Sequence, residues 1–222
     1  MEKIDLLASL PLFEGLSRAQ LESLSRAAFE SRYAAGELIF SAEAPTRGLF
    51  VVRDGHVKIF RSTLEGREQT IYLIGPGQPF CLAGALGHDP APASAMALSR
   101  CTVLSFPSAL LESLGREEPA LLVNMILSLS ARLKQAMAMI ENLALKELPE
   151  RLAAFVLVEA GAGQLAVLSV PHVEIAKVLG TTPETLSRTI KRLAAEGLLA
   201  QEGRNLRILD RPGLTRLAGL DC

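Results

Sequence analysis

A repeat of apolar residues in the middle of the chain gives the clearest prediction of a structural element. After Pro119, apolar residues recur at alternating spacings of four and three over three heptads. These seven positions, called the seam below, are Leu122, Ile126, Leu129, Leu133, Ala136, Ile140 and Leu143. The spacing is typical of a coiled coil and predicts a long helix over 119–146 that pairs with a second copy. The alternative is a long helix that packs only on its own N-terminal domain.

Short apolar runs separated by turn residues predict a strand-rich N-terminal half. We expect strands at 49–52, 57–60, 69–74 and 101–106. Asp54 and Gly55 lie between the first two runs, and this dipeptide is a strong hairpin signal. Glu65 and Gly66 predict a turn before the third run. Several short strands at this spacing favour a small jelly-roll barrel.

From 171 onward the pattern changes to a helical period that is interrupted by a glycine. The first predicted helix has an apolar face formed by Val173, Ile175, Ala176 and Leu179. It should stop at Gly180, because glycine tolerates the left-handed backbone that a C-terminal cap needs. A second helix is predicted next, with Thr182 as its N-cap and Pro183 in its first position. Its buried side comprises Leu186, Ile190 and Leu193.

The second helix is followed by a predicted strand pair around Gly203. A short helix, a tight turn, a second helix and a hairpin are the layout of a winged helix-turn-helix, which binds duplex DNA. The outward face of the second helix carries Glu184, Ser187, Arg188, Lys191 and Arg192. The alternative interpretation of such a face is a solvated charged surface. The cationic strand pair that follows it favours DNA binding.

The residue types on this face match the chemistry of base recognition. Arg188 can make a bidentate pair with guanine O6 and N7 in the major groove, and Glu184 can accept from cytosine N4. Ser187 lies one helical turn from Glu184 and can reach a base edge or a phosphate. The predicted phosphate contacts, which give affinity but little sequence information, are Thr182, Lys191, Arg192, Arg204 and Arg207.

Composition is that of a globular chain with room for two modest domains. It has 222 residues, 49% of them hydrophobic and 21% charged. The net charge of −1 gives no global attraction to nucleic acid, so a local basic face must supply it. Glu2, Lys3 and Asp5 interrupt any apolar start, and no apolar run approaches the roughly 18–20 residues of a membrane span. Three scattered cysteines form no disulfide framework, and we expect a cytoplasmic protein without membrane contact.

The motif at 183–188, Pro-Glu-Thr-Leu-Ser-Arg, resembles the recognition-helix signature of the CRP/FNR superfamily of bacterial transcription factors. Its Glu-x-x-Ser-Arg arrangement is similar to that of the FNR-like and nitrosative-stress branches. Pro183 and Ser187 stand where the catabolite-activator branch has an arginine and a glycine. The resemblance therefore implies TTGA-type half-sites rather than TGTGA-type ones. It covers essentially the whole chain, including an entry motif at 10–17.

The resemblance implies an α+β fold with three parts. These are a β-roll (jelly-roll) sensor of the cyclic-nucleotide-binding type at 1–118, a dimerisation helix at 119–146, and a winged helix-turn-helix at 147–222. Residues 146–149 would be the hinge. The implied partners are palindromic double-stranded DNA, a second copy of the chain and RNA polymerase. An effector in the β-roll would shift the pairing of the two central helices and so control DNA binding allosterically.

The β-roll sequence argues against two effectors found in this superfamily. An apolar barrel cannot bury a phosphodiester without a cation or backbone donors. The glutamate and arginine that hold cyclic AMP in the family are missing from 77–86 and 90–95, and Asp89 is the only formal charge from 70 to 99. An iron–sulfur cluster needs cysteines clustered near the N-terminus, whereas the first cysteine here is Cys81.

Haem remains a candidate effector for an apolar pocket, with nitric oxide or carbon monoxide as the signal. The segment 80–84 resembles the ligand segment of the carbon-monoxide-sensing haem member, although Ala83 stands where that branch has a histidine. The candidate haem ligands are Cys81 and His88, with Met96 as a third. The predicted effector pocket comprises Phe80, Cys81, Leu82, Ala83, His88 and Met96. The alternative is a small hydrophobic or organic-acid effector, or no diffusible ligand.

An enzyme is the other class considered. A metal-dependent cupin needs clustered ligands, but His56, His88 and His172 are widely dispersed. The sequence shows no Gly-rich phosphate loop, Ser–His–Asp set or Cys–His pair. A ligand-binding jelly-roll module with a vestigial DNA head is disfavoured by the intact face at 184–188. We therefore predict a homodimeric transcription regulator rather than an enzyme.

Overall fold

The structure is a computed structural model that describes residues 2–44, 48–82 and 90–220. The fold is α+β, as predicted, with antiparallel sheets and a long central helix. The chain divides into two compact units, residues 1–135 and 136–222. Within the described ranges, no helix combines the length and the apolar character needed to cross a bilayer.

The first unit opens with helices that close one end of its core. These are α1 (Lys3–Ser9), a 3₁₀ turn (Pro11–Phe13) and α2 (Arg18–Ala27). Helix α2 begins with a capping box, in which Ser17 accepts from the Gln20 N–H and the Gln20 side chain accepts from the Ser17 N–H. Leucines of both helices are buried in one cluster with Phe13 and Phe106.

In the described part of the first unit, eight strands form two four-stranded antiparallel sheets, in the order β1-β8-β3-β6 and β2-β7-β4-β5. Their bounds are β1 (Phe29–Tyr33), β2 (Leu38–Phe40), β3 (Leu49–Asp54), β4 (Val57–Ser62), β5 (Glu68–Ile74), β6 (Pro79–Phe80), β7 (Ser94–Ala97) and β8 (Cys101–Phe106). The strands predicted at 49–52, 57–60, 69–74 and 101–106 are all present. The jelly-roll prediction is thus confirmed, and Cys101 is buried in β8.

The hairpin predicted at Asp54 and Gly55 is wrong. Strand β3 pairs with β6 and β8, whereas β4 pairs with β5 and β7, so this turn carries the chain from one sheet to the other. Gly55 has φ +83°, and a Cβ there would lie 2.4 Å from the Arg100 carbonyl oxygen. The dipeptide therefore marks a tight turn, but the surrounding strands decide which partners pair. The turn at Glu65 and Gly66 does join the paired strands β4 and β5.

Helix α3 (Ser108–Glu117) leads into the long helix α4 (Pro119–Leu145), which matches the helix predicted from the heptads. Leu121 and Met125 of α4 are buried in the core of the first unit. The seam lies on another face. Five of its seven side chains are exposed in the single chain, as at Leu133 (64%) and Ile140 (67%), whereas Ala136 is half-buried and Leu122 packs against the core of the first unit.

The second unit packs helices around a three-stranded sheet of order β10-β11-β9. Its elements are α5 (Leu148–Ala160), β9 (Leu165–Ala166), α6 (His172–Val178), α7 (Pro183–Ala195), β10 (Leu199–Glu202), β11 (Asn205–Ile208) and α8 (Arg211–Leu217). Helices α6 and α7 are the predicted helix-turn-helix. Strands β10 and β11 form the predicted hairpin, called the wing below, which turns at Gly203 with φ +61°.

The turn between α6 and α7 forms as the sequence predicts. Gly180 has φ +64°, and the Thr181 N–H donates to the Ala176 carbonyl, which closes the C-terminal cap of α6. Thr182 caps α7 by accepting from the Thr185 N–H at 3.3 Å. One part of the α6 prediction is wrong, because Val173 is 44% exposed while Glu174 is only 8% exposed. Glu174 accepts from Lys177, and this charge pair makes the burial of its carboxylate tolerable.

Candidate nucleic-acid interface and sensor cavity

Helix α7 presents a polar face that is separated cleanly from its buried side. Leu186, Ile190 and Leu193 are each at most 2% exposed and anchor the helix in the second unit. The predicted outward residues are all exposed: Glu184, Ser187, Arg188, Lys191 and Arg192. The apolar side therefore fixes which side chains the helix offers to a partner.

The three predicted base-reading residues lie in the first two turns of α7, within the five residues 184–188. Glu184 and Arg188 are four positions apart, with Ser187 between them, so all three share one face. The Arg188 guanidinium donates to Thr185 Oγ1 at 3.2 Å, which leaves other N–H groups of its fork for a ligand. The arrangement can place an acceptor, a hydroxyl and a bidentate donor against neighbouring base edges.

Glu184 is held in its ionised, acceptor form. The backbone N–H of Glu184 itself, the Thr182 hydroxyl and the charge of Arg188 all lower the pKa of its carboxyl below the usual value. Both bonds come from groups at the N-terminus of α7, where unpaired N–H groups stabilise negative charge. An ionised carboxylate accepts hydrogen bonds only, which suits the predicted contact with a cytosine amino group.

The predicted phosphate contacts on α7 are two exposed cations, Lys191 and Arg192, and the N-cap residue Thr182. Lys191 lies on α7 beside the reading residues, and Arg192 forms an i,i+4 ion pair with Glu196 at 3.5 Å. Thr182 combines its predicted phosphate contact with the capping role described above. None of the three is buried, so a phosphate could approach each of them.

The wing carries the other two predicted phosphate contacts in different environments. Arg204 is exposed at the turn, and its carbonyl oxygen lies 2.8 Å from His172 Nε2. Arg207 donates to both carboxylate oxygens of Glu202, which raises the pKa of Arg207 and lowers that of Glu202. To bind a phosphate, Arg207 must therefore break its ion pair with Glu202 or bind the phosphate with its remaining N–H groups. The His172 contact, which ties the wing to α6, was not predicted from the sequence.

The first unit contains a cavity of about 150 Å³ inside its β-roll. Apolar and aromatic side chains make up most of its described wall, including Phe40, Ile59, Ile74, Phe80, Leu82 and Leu129. The polar groups that line it are Tyr72, Cys81 and Arg132. Of the predicted pocket, Phe80, Cys81 and Leu82 therefore do lie together at one cavity.

Three other predicted pocket residues fall elsewhere. Ala83 and His88 lie outside the described residues. Met96 is on β7 between Ala95 and Ala97, which are both fully buried, so the alternation of the strand turns Met96 to the opposite face. Met96 does not line the cavity, and its assignment to the pocket is corrected on that ground.

Two family models match this chain, one in each unit. Residues 30–118 match the model described as a cyclic nucleotide-binding domain, and residues 150–217 match the Crp-like helix-turn-helix domain. The Cyclic AMP receptor protein of Thermus thermophilus is 32% identical over 190 residues, which cover 85% of this chain and 88% of that protein. The chain belongs to the CRP/FNR family of transcription regulators.

Two further similarities support this membership. The Transcriptional activator protein anr of Pseudomonas aeruginosa is 32% identical over 193 residues, covering 83% of this chain and 78% of that protein. The structure of FixK2 from Bradyrhizobium japonicum matches with a TM-score of 0.76 and 26% identity, covering 88% of this chain and 98% of that one. The protein is accordingly a CRP/FNR-type DNA-binding regulator with an effector domain, and its family is not one of enzymes.

In this CRP/FNR regulator, the cavity contains a cation that the sequence reasoning missed. The segment 70–99 carries no lysine or arginine, but Arg132 reaches the cavity from the long helix α4. The Arg132 guanidinium lies over the Tyr72 ring, 5.1 Å from its centroid, and the Tyr72 hydroxyl donates to the Arg132 carbonyl at 3.2 Å. Since Arg132 is about 60 residues downstream, no linear motif could have signalled it.

Proposed function

We propose that this regulator acts as a homodimer that reads palindromic DNA with TTGA-type half-sites. Glu184, Ser187 and Arg188 are the proposed base readers. The observation that carries the proposal is the face of α7, where an ionised acceptor and an arginine fork stand four residues apart and exposed. Lys191, Arg192 and the wing arginines would hold the phosphates on either side.

The dimer part of the proposal is supported by the exposed seam of α4. Five of its large apolar side chains are exposed in the single chain, at Ile126, Leu129, Leu133, Ile140 and Leu143. Exposed contiguous apolar surface of this kind marks an interaction site. A symmetric dimer places two copies of α7 where they can contact half-sites one helical turn apart. We propose RNA polymerase as the further partner of the DNA-bound dimer.

The DNA-reading role is tested by replacing Arg188 with alanine. The loss of a bidentate contact should cost about 1–3 kcal/mol on the cognate palindrome and relax base preference at one position of each half-site. Fluorescence anisotropy with the palindrome and with single-base variants measures both effects. Unchanged affinity for the palindrome would show that Arg188 is not the reader.

Lys191→Ala is the matched comparison on the same helix face. Removal of a phosphate contact should weaken binding to all sequences by a similar factor and reduce the salt slope by about one per contact. The measurement is the same anisotropy assay at several salt concentrations. A loss confined to the cognate sequence would contradict the phosphate role.

We propose that an effector in the β-roll cavity controls the dimer through α4. Leu129 supports this route, because it lines the cavity and also belongs to the seam. A ligand that changes the position of Leu129 would change the packing of the two seams, and thereby the spacing of the two copies of α7. Cyclic AMP is not the effector we propose, since the β-roll strands lack the charged residues described above.

Haem with a gas signal, as in nitrosative stress, is a second candidate supported by Cys81 in the cavity wall. A cysteine thiolate is a known axial ligand, but a cavity of about 150 Å³ has the size of a single benzene ring, so a haem macrocycle would fit only if the cavity widened. An anaerobic haem titration followed by visible absorption tests it, with nitric oxide and carbon monoxide added afterwards. A saturable spectrum of one haem per chain that shifts with gas and is lost in Cys81→Ala would support haem sensing. Absence of a specific spectrum would remove it.

A further inference from the structure

The β-roll cavity joins apolar walls to a half-buried cation. Phe40, Ile59 and Phe80 supply apolar surface, and Arg132 brings its guanidinium to the same space. We propose that this cavity binds a small amphipathic organic anion, a monocarboxylate with a body of about one ring, with Arg132 as its counter-ion. This inference rests on the proposed function, because it names the chemical class of the effector that would act there.

The hydrogen bonds of Arg132 leave part of its guanidinium for a ligand. One Nη donates to the Pro79 carbonyl at 3.2 Å and the other donates to Gln135 Oε1 at 3.1 Å. A guanidinium has five N–H groups, so these two bonds hold the fork in place without using it up. Both acceptors are neutral. Over the ranges that the structure describes, no carboxylate lies within ion-pair distance of Arg132.

A half-buried cation beside apolar walls favours an anionic partner. Burial lowers the pKa of Arg132 from its usual value, because the charged form is less well solvated there. An arginine nevertheless stays protonated at neutral pH. A carboxylate would restore the lost solvation and accept two parallel N–H bonds, which is the geometry that arginine forks prefer.

The size and shape of the cavity limit the body of the ligand. A cavity of about 150 Å³ with an apolar lining is the size that accommodates a single benzene ring in proteins. The rings of Phe40 and Phe80 stack at 6.2 Å between centroids and give the wall a flat aromatic surface. A one-ring or short-chain body would therefore fill the space and leave its carboxylate beside Arg132.

The same residues connect the ligand to the dimer helix. Arg132 is adjacent in sequence to Leu133 of the seam, and it lies three residues from Leu129, which lines the cavity. A carboxylate that draws the guanidinium into the cavity would act on α4 at 129–133, where the face that lines the cavity borders the seam. The proposed ligand thus binds where a small displacement changes the seam directly.

The test is calorimetric titration of the full chain with benzoate, hexanoate, benzamide and acetate. We expect benzoate and hexanoate to bind saturably, with one site per chain. Benzamide keeps the ring but lacks the charge, and acetate keeps the charge but lacks the body, so both should bind at least tenfold more weakly. Arg132→Gln should weaken benzoate binding about 10- to 100-fold, the value expected for hydrogen bonds to a charged group.

Lys134→Gln is the matched control, because it removes one positive charge from the same helix at an exposed position. It should bind benzoate as the wild type does. Arg132→Lys keeps the charge without the fork and should fall between wild type and Arg132→Gln. Thermal unfolding of each variant shows whether the fold is retained, so that loss of binding reports on the side chain.

Three results would overturn the inference. They are equal binding of benzamide and benzoate, wild-type benzoate affinity in a folded Arg132→Gln protein, and no binding of either benzoate or hexanoate at millimolar concentration. Palindrome binding by the same samples is measured separately. Specific DNA binding without carboxylate binding removes the ligand class alone, whereas carboxylate binding without any DNA preference removes the proposed function and leaves the cavity site.

Discussion

At the scale of single residues, two glycines with the same backbone conformation have different surroundings. Gly36 and Gly55 both have φ +83°, which L-residues rarely adopt. A Cβ at Gly36 would meet nothing within 4 Å, whereas one at Gly55 would lie 2.4 Å from the Arg100 carbonyl oxygen and 2.6 Å from Cys101 Cβ. The two positions separate the cost of the conformation from the cost of the contact.

We predict that Gly55→Ala lowers the free energy of unfolding of the first unit more than Gly36→Ala does. Strain at positive φ should cost each variant about 1–2 kcal/mol. The contact with the β8 backbone should add at least about 1 kcal/mol at Gly55, since neither partner is a flexible side chain. Urea denaturation of the full chain measures both. Equal losses would mean that the turn relaxes without resistance from β8.

At the scale of elements, the recognition helix α7 depends on its first turn. The Thr182 hydroxyl accepts from the Thr185 N–H and also bonds the Glu184 carboxylate, so one oxygen both caps the helix and helps to lower the pKa of a proposed base reader. Stability and recognition therefore meet at a residue that the sequence marks only as an N-cap.

We predict that Thr182→Ala weakens the first turn of α7 by about 1 kcal/mol, or roughly fivefold in amide protection. It should also raise the pKa of the Glu184 carboxyl toward its usual value, because a hydrogen bond to the charged form is lost. Hydrogen exchange and an NMR pH titration measure the two effects. Thr182→Ser keeps the oxygen and serves as the control. If serine and alanine behave alike, the cap does not hold the turn.

Element types were predictable wherever the local pattern was unambiguous. The period of α7, the heptads of α4 and the short apolar run of β8 each identified their element from the sequence. The same reasoning was wrong for Val173 and Glu174 on α6, because hydrophobicity alone cannot reveal that a carboxylate will be buried with Lys177 as its partner. A charge pair at i,i+3 changes which side of a short helix can face inward.

At the scale of the whole molecule, the exposed part of the α4 seam is the surface on which the proposed dimer depends. Leu133 is 64% exposed in the single chain, and Ile126, Leu129, Ile140 and Leu143 of the seam are exposed as well. Ala138 is also exposed but lies at the heptad position farthest from the seam. A glutamate can therefore be introduced either in the seam, at 133, or on the opposite side of the same helix, at 138.

We predict that Leu133→Glu converts a dimer into monomers, because each dimer would bury two like charges at one seam layer. Sedimentation velocity measures the change. Palindrome affinity should fall with it, since two half-site contacts are no longer linked. Ala138→Glu adds the same charge outside the seam and should leave the dimer intact. A Leu133→Glu protein that remains dimeric would place the dimer interface elsewhere.

The partners of strands β3 and β4 could not be predicted from the sequence. The strands on either side of Gly55 were predicted with nearly correct limits, but their partners were not. A dipeptide specifies the local backbone, whereas pairing depends on strands such as β7 and β8 that lie about 40 residues downstream. The prediction of a tight turn at Gly55 was therefore correct, whereas the prediction that this turn joins two paired strands was wrong.

The sequence by itself determined the periods, the caps and the outward polar face of α7, because each depends on residues within a few positions of one another. Tertiary structure alone decided which residues line the cavity. It placed Arg132 of α4 beside Phe80 and Tyr72 of the β-roll, and it turned Met96 away. Such an encounter depends on how sheets close and where a helix packs on them, and those long-range contacts leave no spacing that can be seen in the chain.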